Sequence, residues 1–421
     1  MRALDYRNAS RGVGRITPQP QARRHKPDYW LLILTLCLLA IGMIVVYSIS
    51  PALAVGQDID GSQYVMRQMI AIGLGLILFG IAAQIPPRIW RQLSFPLLVV
   101  AGIATLMTLL LPVNAEYPAH RWIRFGGFSF QSVELLKFAL LFWIAGFLVY
   151  RSERDLLGDV RKTLQPLLLG LTGIGLVVAG LQSDLGSAAV IAVMLVAMMF
   201  VAGVPLKPLL LIGAVMLLLA AFFIASTDYR RDRFATFLNP EADCTASGYQ
   251  ACQALIAVGS GGMSGLGLGN SVQAYGYLPE AENDSIFAIY AEKFGFIGVT
   301  VLLGLLLAFF SRMKRIAERA PDDFSRLVVF GALVWLSTQA LINIGAMLGL
   351  LPLKGITLPL ISYGGSSVLM VLALIGVVFH VSRYTSLNGR ISNGAGGSSY
   401  DDSRHGRRVR GAYHASTRSR F

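Results

Sequence analysis

Apolar residues in this chain fall in long unbroken blocks, without the alternation of a half-buried strand or the narrow stripe of a surface helix. Blocks of about twenty apolar residues are long enough for a helix to cross the hydrocarbon core of a bilayer. Ten of them lie near residues 30–50, 69–85, 93–113, 133–150, 166–181, 187–204, 207–226, 285–311, 327–350 and 360–382. Main-chain polar groups in lipid must be satisfied within their own segment, so spans this apolar are helices. The pattern predicts an all-α polytopic membrane protein of ten transmembrane helices. A large loop, residues 227–284, separates helices seven and eight. It is too long for a simple connector.

The pattern stops at both ends. Residues 1–28 mix Arg, Pro and Gln, and residues 388–421 are rich in Gly, Ser and Arg. With so few apolar side chains, both ends read as disordered tails, 1–28 and 383–421, around a membrane domain of 29–382. No internal repeat is visible. Ala52-Leu53-Ala54 has the form of a cleavage site, but the apolar run before it is long for a signal peptide and nine spans follow. A retained anchor is expected.

Composition agrees with the blocks. The 421 residues are 55% hydrophobic and 14% charged, against about 25% charged in soluble domains. Charge then sets the orientation. The first 28 residues hold seven Lys/Arg and residues 383–421 hold eight. Loops on the same side hold Arg88 and Arg91, then Arg151, Arg154, Arg161 and Lys162, then Lys207, then Arg312, Lys314, Arg315, Arg319 and Arg326. The positive-inside rule puts both termini in the cytoplasm and makes 227–284 extracytoplasmic. Of the net charge of +13, the tails carry +5 and +6. They suit anionic lipid, and no nucleic-acid partner is expected. Cys37 lies in the first span, and Cys244 and Cys252 share the large loop. A disulfide between those two stays open on sequence alone.

Candidate chemistry collects on the extracytoplasmic side. The run YLPEAENDSIF sets Glu280, Glu282 and Asp284 together, with Arg233 the nearest cation upstream and Lys293 downstream. Such acids could be solvated loop residues, hard-metal ligands or a general base. The glycines at 259, 261, 262, 265, 267 and 269 miss the spacings of nucleotide loops, so they read as backbone that permits close approach. QALIAV just before them reads as a short interfacial helix. Charges inside spans are costly and mark function or a structural pair. Glu134 and Lys137, at i and i+3 in VELLKF, can pair on one helix face. Asp184 in LQSDLGSA is either an N-cap or a cavity residue. Glu292 and Lys293 should face the bundle interior or a wet cavity.

Four separated stretches resemble one family. HRWIRFGGFSFQSVELLKF, LQSDLGSA, GSGGMSGLGLGNSVQAYGYLPEAENDSIF and LPLKGITLPLISYGGSS are similar, in order and spacing, to segments of the SEDS family (shape, elongation, division and sporulation) across residues 30–383. YLPEA and the Lys354-Gly355 pair resemble its division branch, FtsW-like, more than its elongation branch, RodA-like. The resemblance implies a peptidoglycan glycosyltransferase that polymerises lipid II outside the cytoplasmic membrane and releases undecaprenyl diphosphate, at the division septum. It places the essential acid on Asp284, as base or metal ligand. It places cavity or substrate-binding groups on Arg121, Glu134, Lys137, Asp184, Glu280, Lys354 and Ser366. Lys137, Arg121 and Lys354 are then the candidate cations for the departing diphosphate. It further implies a divalent cation, Mg2+ or Mn2+, with no organic cofactor. The implied partners are an FtsI-like class B penicillin-binding protein and divisome proteins of the FtsQ, FtsL and FtsB kind.

The chain departs from the family pattern in three places. Gln-Pro-Ser-Glu reads Gln131-Ser132-Val133-Glu134, Gln-Pro-Asp reads Gln182-Ser183-Asp184, and His-Thr-Asp-Phe reads Glu282-Asn283-Asp284-Ser285. A flippase of lipid-linked precursor or an elongation polymerase are the alternative readings. A transpeptidase is not expected in this chain. Its one Ser-x-x-Lys, Ser311 to Lys314, falls on the cytoplasmic side, and no Lys-Thr-Gly occurs.

Overall fold

The computed structural model describes residues 22–54, 61–111, 121–125, 128–238, 244–245 and 248–386. The outer parts of both predicted tails therefore lie outside the described residues. Their inner ends are ordered, unlike the expectation: β1 (Ala22–Arg24) pairs antiparallel with β4 (Tyr384–Ser386). That pairing puts Ala22–Arg24 and Tyr384–Ser386 at the same end of the bundle.

Twelve helices are described. They are α1 (Tyr29–Ala54), α2 (Ser62–Ala82), α3 (Pro87–Leu110), α4 (Ser132–Ser152), α5 (Gln165–Gly175), α6 (Leu185–Ala202), α7 (Leu206–Ala225), α8 (Asp228–Leu238), α9 (Tyr249–Ser260), α10 (Ile286–Glu318), α11 (Asp323–Met347) and α12 (Gly365–Val381). Wider π-type turns extend α5 at both ends into one span, Val160–Leu181. Nine of these segments are long and apolar enough to cross a membrane, and α12, at 17 residues, is a tenth, shorter apolar helix. The chain is an all-α multi-pass membrane protein, and each predicted span lands on one of these helices. α8 and α9 fill the large loop, with QALIAV inside α9.

Local chemistry sets the helix ends. Pro87 opens α3, where its fixed φ suits the first turn. Asp322 caps α11 by accepting from the Ser325 amide at 2.9 Å. Gly203, at φ 95°, closes α6 in the left-handed conformation. Within the bundle, α4 is 78% buried along its apolar window and α11 61%, against 17% for α7. α4 and α11 are therefore interior helices, and α7 faces lipid along most of its length.

α10 is broken. Gly295 adopts φ 63° and ψ −165°, which only glycine takes readily, so the helical ladder is interrupted inside a span. The glycine-rich segment after α9 takes up the freed groups. Leu266 and Gly267 amides donate to the Glu292 and Lys293 carbonyls at 2.9 and 3.0 Å. Phe296 and Ile297 amides donate to the Gly262 and Met263 carbonyls at 2.9 and 3.1 Å. A Cβ on Gly265 would lie 2.1 Å from the Lys293 carbonyl oxygen, so the close approach read from the glycine run is required here. Glu292 and Lys293 bind the same segment. The Glu292 carboxylate accepts from Ser271 Oγ and from the Val272 and Gln273 amides, and Lys293 Nζ donates to the Leu268 carbonyl at 2.7 Å.

Deeper in the bundle, Lys137 Nζ donates to Glu134 Oε1 at 2.6 Å and to Gln339 Oε1 at 3.2 Å. It also lies 5.1 Å from the centre of the Trp335 ring. Both charged side chains are almost fully buried. Removing one leaves the other's charge stranded, at a cost of about 3–5 kcal/mol. Glu134→Ala and Lys137→Ala should each lower thermal stability more than half as much as the double variant does. A double-mutant cycle reads this directly; additive losses would mean the pair is not coupled.

Candidate active site

Span parity places one set of connections at the end of the bundle opposite the paired tails: the segment around β2 (Trp122–Phe125) and β3 (Phe128–Gln131), the 182–184 turn, α8 and α9, the 261–285 segment, and residues 348–364. The acidic run read from the sequence sits among them. Three successive carbonyls of that run are each held from elsewhere. The Tyr363 amide donates to the Glu282 carbonyl at 2.8 Å, Ser362 Oγ to the Asn283 carbonyl at 2.7 Å, and Asn343 Nδ2 to the Asp284 carbonyl at 2.7 Å. Asn343 Nδ2 also reaches the Ile356 carbonyl at 2.7 Å, so one amide ties α11 to both segments. Leu278 and Ala281 are buried and anchor the turn.

These contacts aim Asp284 at Gly355. A Cβ at Gly355 would lie 3.3 Å from Asp284 Oδ2 and 3.8 Å from Arg121 Nη1. The missing side chain thus lets a carboxylate and a guanidinium converge on one spot. Burial pushes the Asp284 carboxyl up to about 7, and the Glu280 and Glu282 charges add to that, while its own main chain and Arg233 oppose it. Glu282 is raised to about 6, again mainly by burial. Glu280 is exposed, holds a left-handed φ of 51°, and accepts from Asn283 Nδ2 at 2.6 Å.

The predicted cations divide. Arg121 Nε donates to the Gln182 carbonyl at 2.9 Å and its Nη2 to the Ser183 carbonyl, which fixes the guanidinium beside Asp284. Lys354 packs near Gly186. Burial lowers its value to about 8, helped by Arg233, Arg230 and Arg121, against the pull of Asp184. Lys137 does not join them, because it is committed to Glu134 and Gln339 inside the bundle. Arg230, which sequence reading did not single out, takes its place. Its Nη2 donates to Ser183 Oγ at 3.2 Å and to the Ala179 carbonyl at 2.9 Å, and Arg121 lowers its value further after burial. Arg121, Arg230, Arg233 and Lys354 therefore act on one another as a cluster of positive charge.

The remaining predicted residues have structural partners. Asp184 caps α6: Oδ1 accepts from the Ser187 amide at 2.9 Å, and Oδ2 accepts from Gln131 Nε2 at 3.3 Å. Ser366 Oγ accepts from the Gln131 amide at 3.3 Å and ties β3 to α12. Ser183 has φ 57°, which proline's ring forbids, so the departure from Gln-Pro-Asp matches the observed backbone. Gln182, Gln339, Asn343 and Ser362 were missed. Three of them are uncharged amides buried among apolar residues, the signal that a search for charges alone passes over.

Among the described residues no group of three or more His, Cys, Asp or Glu could hold an ion. Cys244 and Cys252 form a disulfide that encloses the first turn of α9.

Comparison with known proteins agrees with this arrangement. Residues 29–387 match the FtsW/RodA/SpoVE model, described as a cell cycle protein family. The chain is 40% identical over 367 residues to a probable peptidoglycan glycosyltransferase FtsW of Coxiella burnetii, covering 85% of this chain and 96% of that one. Among solved structures, the rod shape determining protein RodA of Thermus thermophilus superposes with a TM-score of 0.63 at 28% identity, over 85% of this chain and 97% of that one. A chain of a peptidoglycan synthase complex, in which polymerization and crosslinking are structurally coordinated, superposes with a TM-score of 0.69 at 29% identity, over 85% and 98%. Fold, motif order and sequence together make this chain a member of the FtsW/RodA/SpoVE family, the family its four segments resemble.

Proposed function

We propose that this protein is a peptidoglycan glycosyltransferase that polymerises lipid II at the outer face of the cytoplasmic membrane, in septal wall synthesis. The observation that carries the reading is Asp284: a half-buried carboxyl group held by its main chain, pushed up to about 7 and set beside a cluster of cations. A sugar hydroxyl of the acceptor gives its proton to the Asp284 carboxylate. The hydroxyl oxygen bonds to the donor's anomeric carbon as the bond from that carbon to the diphosphate breaks. The electron pair leaves on undecaprenyl diphosphate, whose charge Arg121, Arg230 and Lys354 stabilise. Displacement at an α-linked donor gives a β-linked glycan. The polyprenyl chains stay among the spans, and a divalent cation, with Asp284 as its ligand in this chain, would add positive charge for the departing diphosphate.

The outside location has two supports. Basic residues concentrate on the tail side of the bundle. The Cys244–Cys252 disulfide belongs to an oxidising compartment. The likeness to a chain from a complex that couples polymerization to crosslinking supports a separate transpeptidase partner, of the class B penicillin-binding kind; the FtsQ-, FtsL- and FtsB-like partners rest on the family resemblance alone.

Three outcomes test this reading. Asp284→Asn should lower glycan polymerisation by about 10²–10⁴-fold with normal membrane insertion, the span of a lost general base. The base form exists above the Asp284 value and is lost below it, so wild-type turnover should fall as pH drops through about 7. Undiminished polymer from the purified variant would refute the assignment, and would favour a flippase if precursor still crossed the membrane.

Topology is read by cysteine labelling. Tyr275 is 54% exposed in the large loop, and the Lys314 side chain is 69% exposed on the tail side. Tyr275→Cys should react with an impermeant reagent in intact cells, and Lys314→Cys only after permeabilisation. The reverse pattern would remove the site from the side where lipid II is polymerised.

Reconstitution with lipid II should yield uncrosslinked glycan from this chain alone, and more of it with the cognate transpeptidase. Equal synthesis in both would end the activation claim. Penicillin-sensitive crosslinks from this chain alone would end the division of labour.

A further inference from the structure

The Asp284 turn is held by Asn343 of α11 and by Ser362 and Tyr363. It also borders a cavity of about 330 Å³ lined by Arg233, Tyr249, Gln250, Ala251, Pro279 and Leu353, among others. At Pro279, which borders the cavity, the turn lacks the packing that anchors it at Leu278 and Ala281. α9 reaches it by hydrogen bonds instead. Gln250 Nε2 donates to Ser285 Oγ at 3.2 Å, and Ser285 Oγ donates its proton to the Pro279 carbonyl at 2.9 Å. Ser285 is fully buried and adjacent to Asp284. Its one proton is used on Pro279, so the hydroxyl can only accept from α9, and an amide donor meets that need. The Cys244–Cys252 disulfide closes a ring of chain that contains Tyr249, Gln250 and Ala251, all three lining the cavity.

We propose that Gln250 is a positioning residue for Asp284, acting through Ser285, and that the Cys244–Cys252 disulfide keeps Gln250 in place for this role. The effect on turnover rests on Asp284 being the base; the bracing of the turn does not. Without the Gln250 bond, residues 279–285 gain freedom toward the cavity. Asp284 then spends less time aligned with the acceptor hydroxyl and more time hydrated.

The test uses the full-length chain in lipid nanodiscs, with lipid II polymerisation and deuterium exchange as readouts. Gln250→Met keeps the side-chain length and removes the donor. It should raise deuterium uptake at 279–285 and lower kcat about fivefold to tenfold with KM little changed, the scale of one hydrogen bond. The low-pH limb should move to lower pH, because hydration brings a carboxyl back toward its ordinary range. The charges that act on Asp284 are Glu280 and Glu282 from its own turn and Arg233 from α8, with Arg121 beside it, and all remain in this variant. Cys244→Ser with Cys252→Ser should give the same changes, and adding Gln250→Met should bring little further loss. Unchanged uptake at 279–285 in Gln250→Met would overturn the bracing, and a full additional loss in the combined variant would overturn the disulfide's part. If the cysteine variant does not fold, Gln250→Met, which keeps the disulfide, decides alone. Polymerisation by Asp284→Asn would end the base reading, while deuterium uptake would still decide the bracing.

Discussion

Three hydrogen bonds to consecutive carbonyls, those of Glu282, Asn283 and Asp284, set the working end of this protein. A carboxyl group serves as a base near neutral pH when it is kept from water and not neutralised by a tight ion pair. Holding it by its side chain would defeat the purpose, since hydrogen bonds to a carboxylate stabilise the charged form and lower its basicity. This chain holds the main chain instead and leaves the Asp284 carboxylate to face Arg121 across Gly355. The donors come from α11 and from the segment before α12, so the site exists only when these elements are packed together. That ties the chemistry to the interior network. Gln339 accepts from Lys137 and donates to the Thr357 carbonyl at 3.1 Å, in the same segment that carries Gly355.

The membrane fold was readable because lipid imposes one rule on every span: apolar side chains outside and a self-satisfied backbone. Ten blocks of hydropathy became ten apolar helices, and even the short QALIAV helix was visible. The motifs brought Asp284, Arg121 and Lys354 to the right neighbourhood. What stayed hidden is tertiary. The i, i+3 spacing pointed to the Glu134–Lys137 pair, but nothing local shows that Arg230, a loop cation, reaches Ser183. Asn343 is one amide in an apolar run, and its worth depends on which two carbonyls it meets. From its sequence Asp184 fits either a cap or a cavity group. The structure shows the cap, with the carboxylate's charge still felt by Lys354.

The departures from the family pattern follow the same logic. Ser183, in place of proline, takes a left-handed backbone that presents its carbonyl to Arg121 and its hydroxyl to Arg230. Ser285, in place of an aromatic residue, links the turn to α9. Polar side chains here make hydrogen bonds where the usual residues could only pack or stiffen.

The break in α10 has a place in this arrangement. Asp284 precedes a helix whose first turns, Ile286 to Lys293, are buried on every side. Beyond Gly295 the same helix faces lipid at Phe296, Ile297 and Val301. A continuous helix would carry tilting of its lipid-exposed half straight to the acid. At Gly295 the ladder is interrupted, and the upper segment is bound to the glycine-rich loop through both its main chain and the Glu292 carboxylate. The segment that carries Asp284 therefore moves with the loop and α11. The remainder of α10 starts from the same loop, through the Phe296 and Ile297 amides, and then runs along the bilayer.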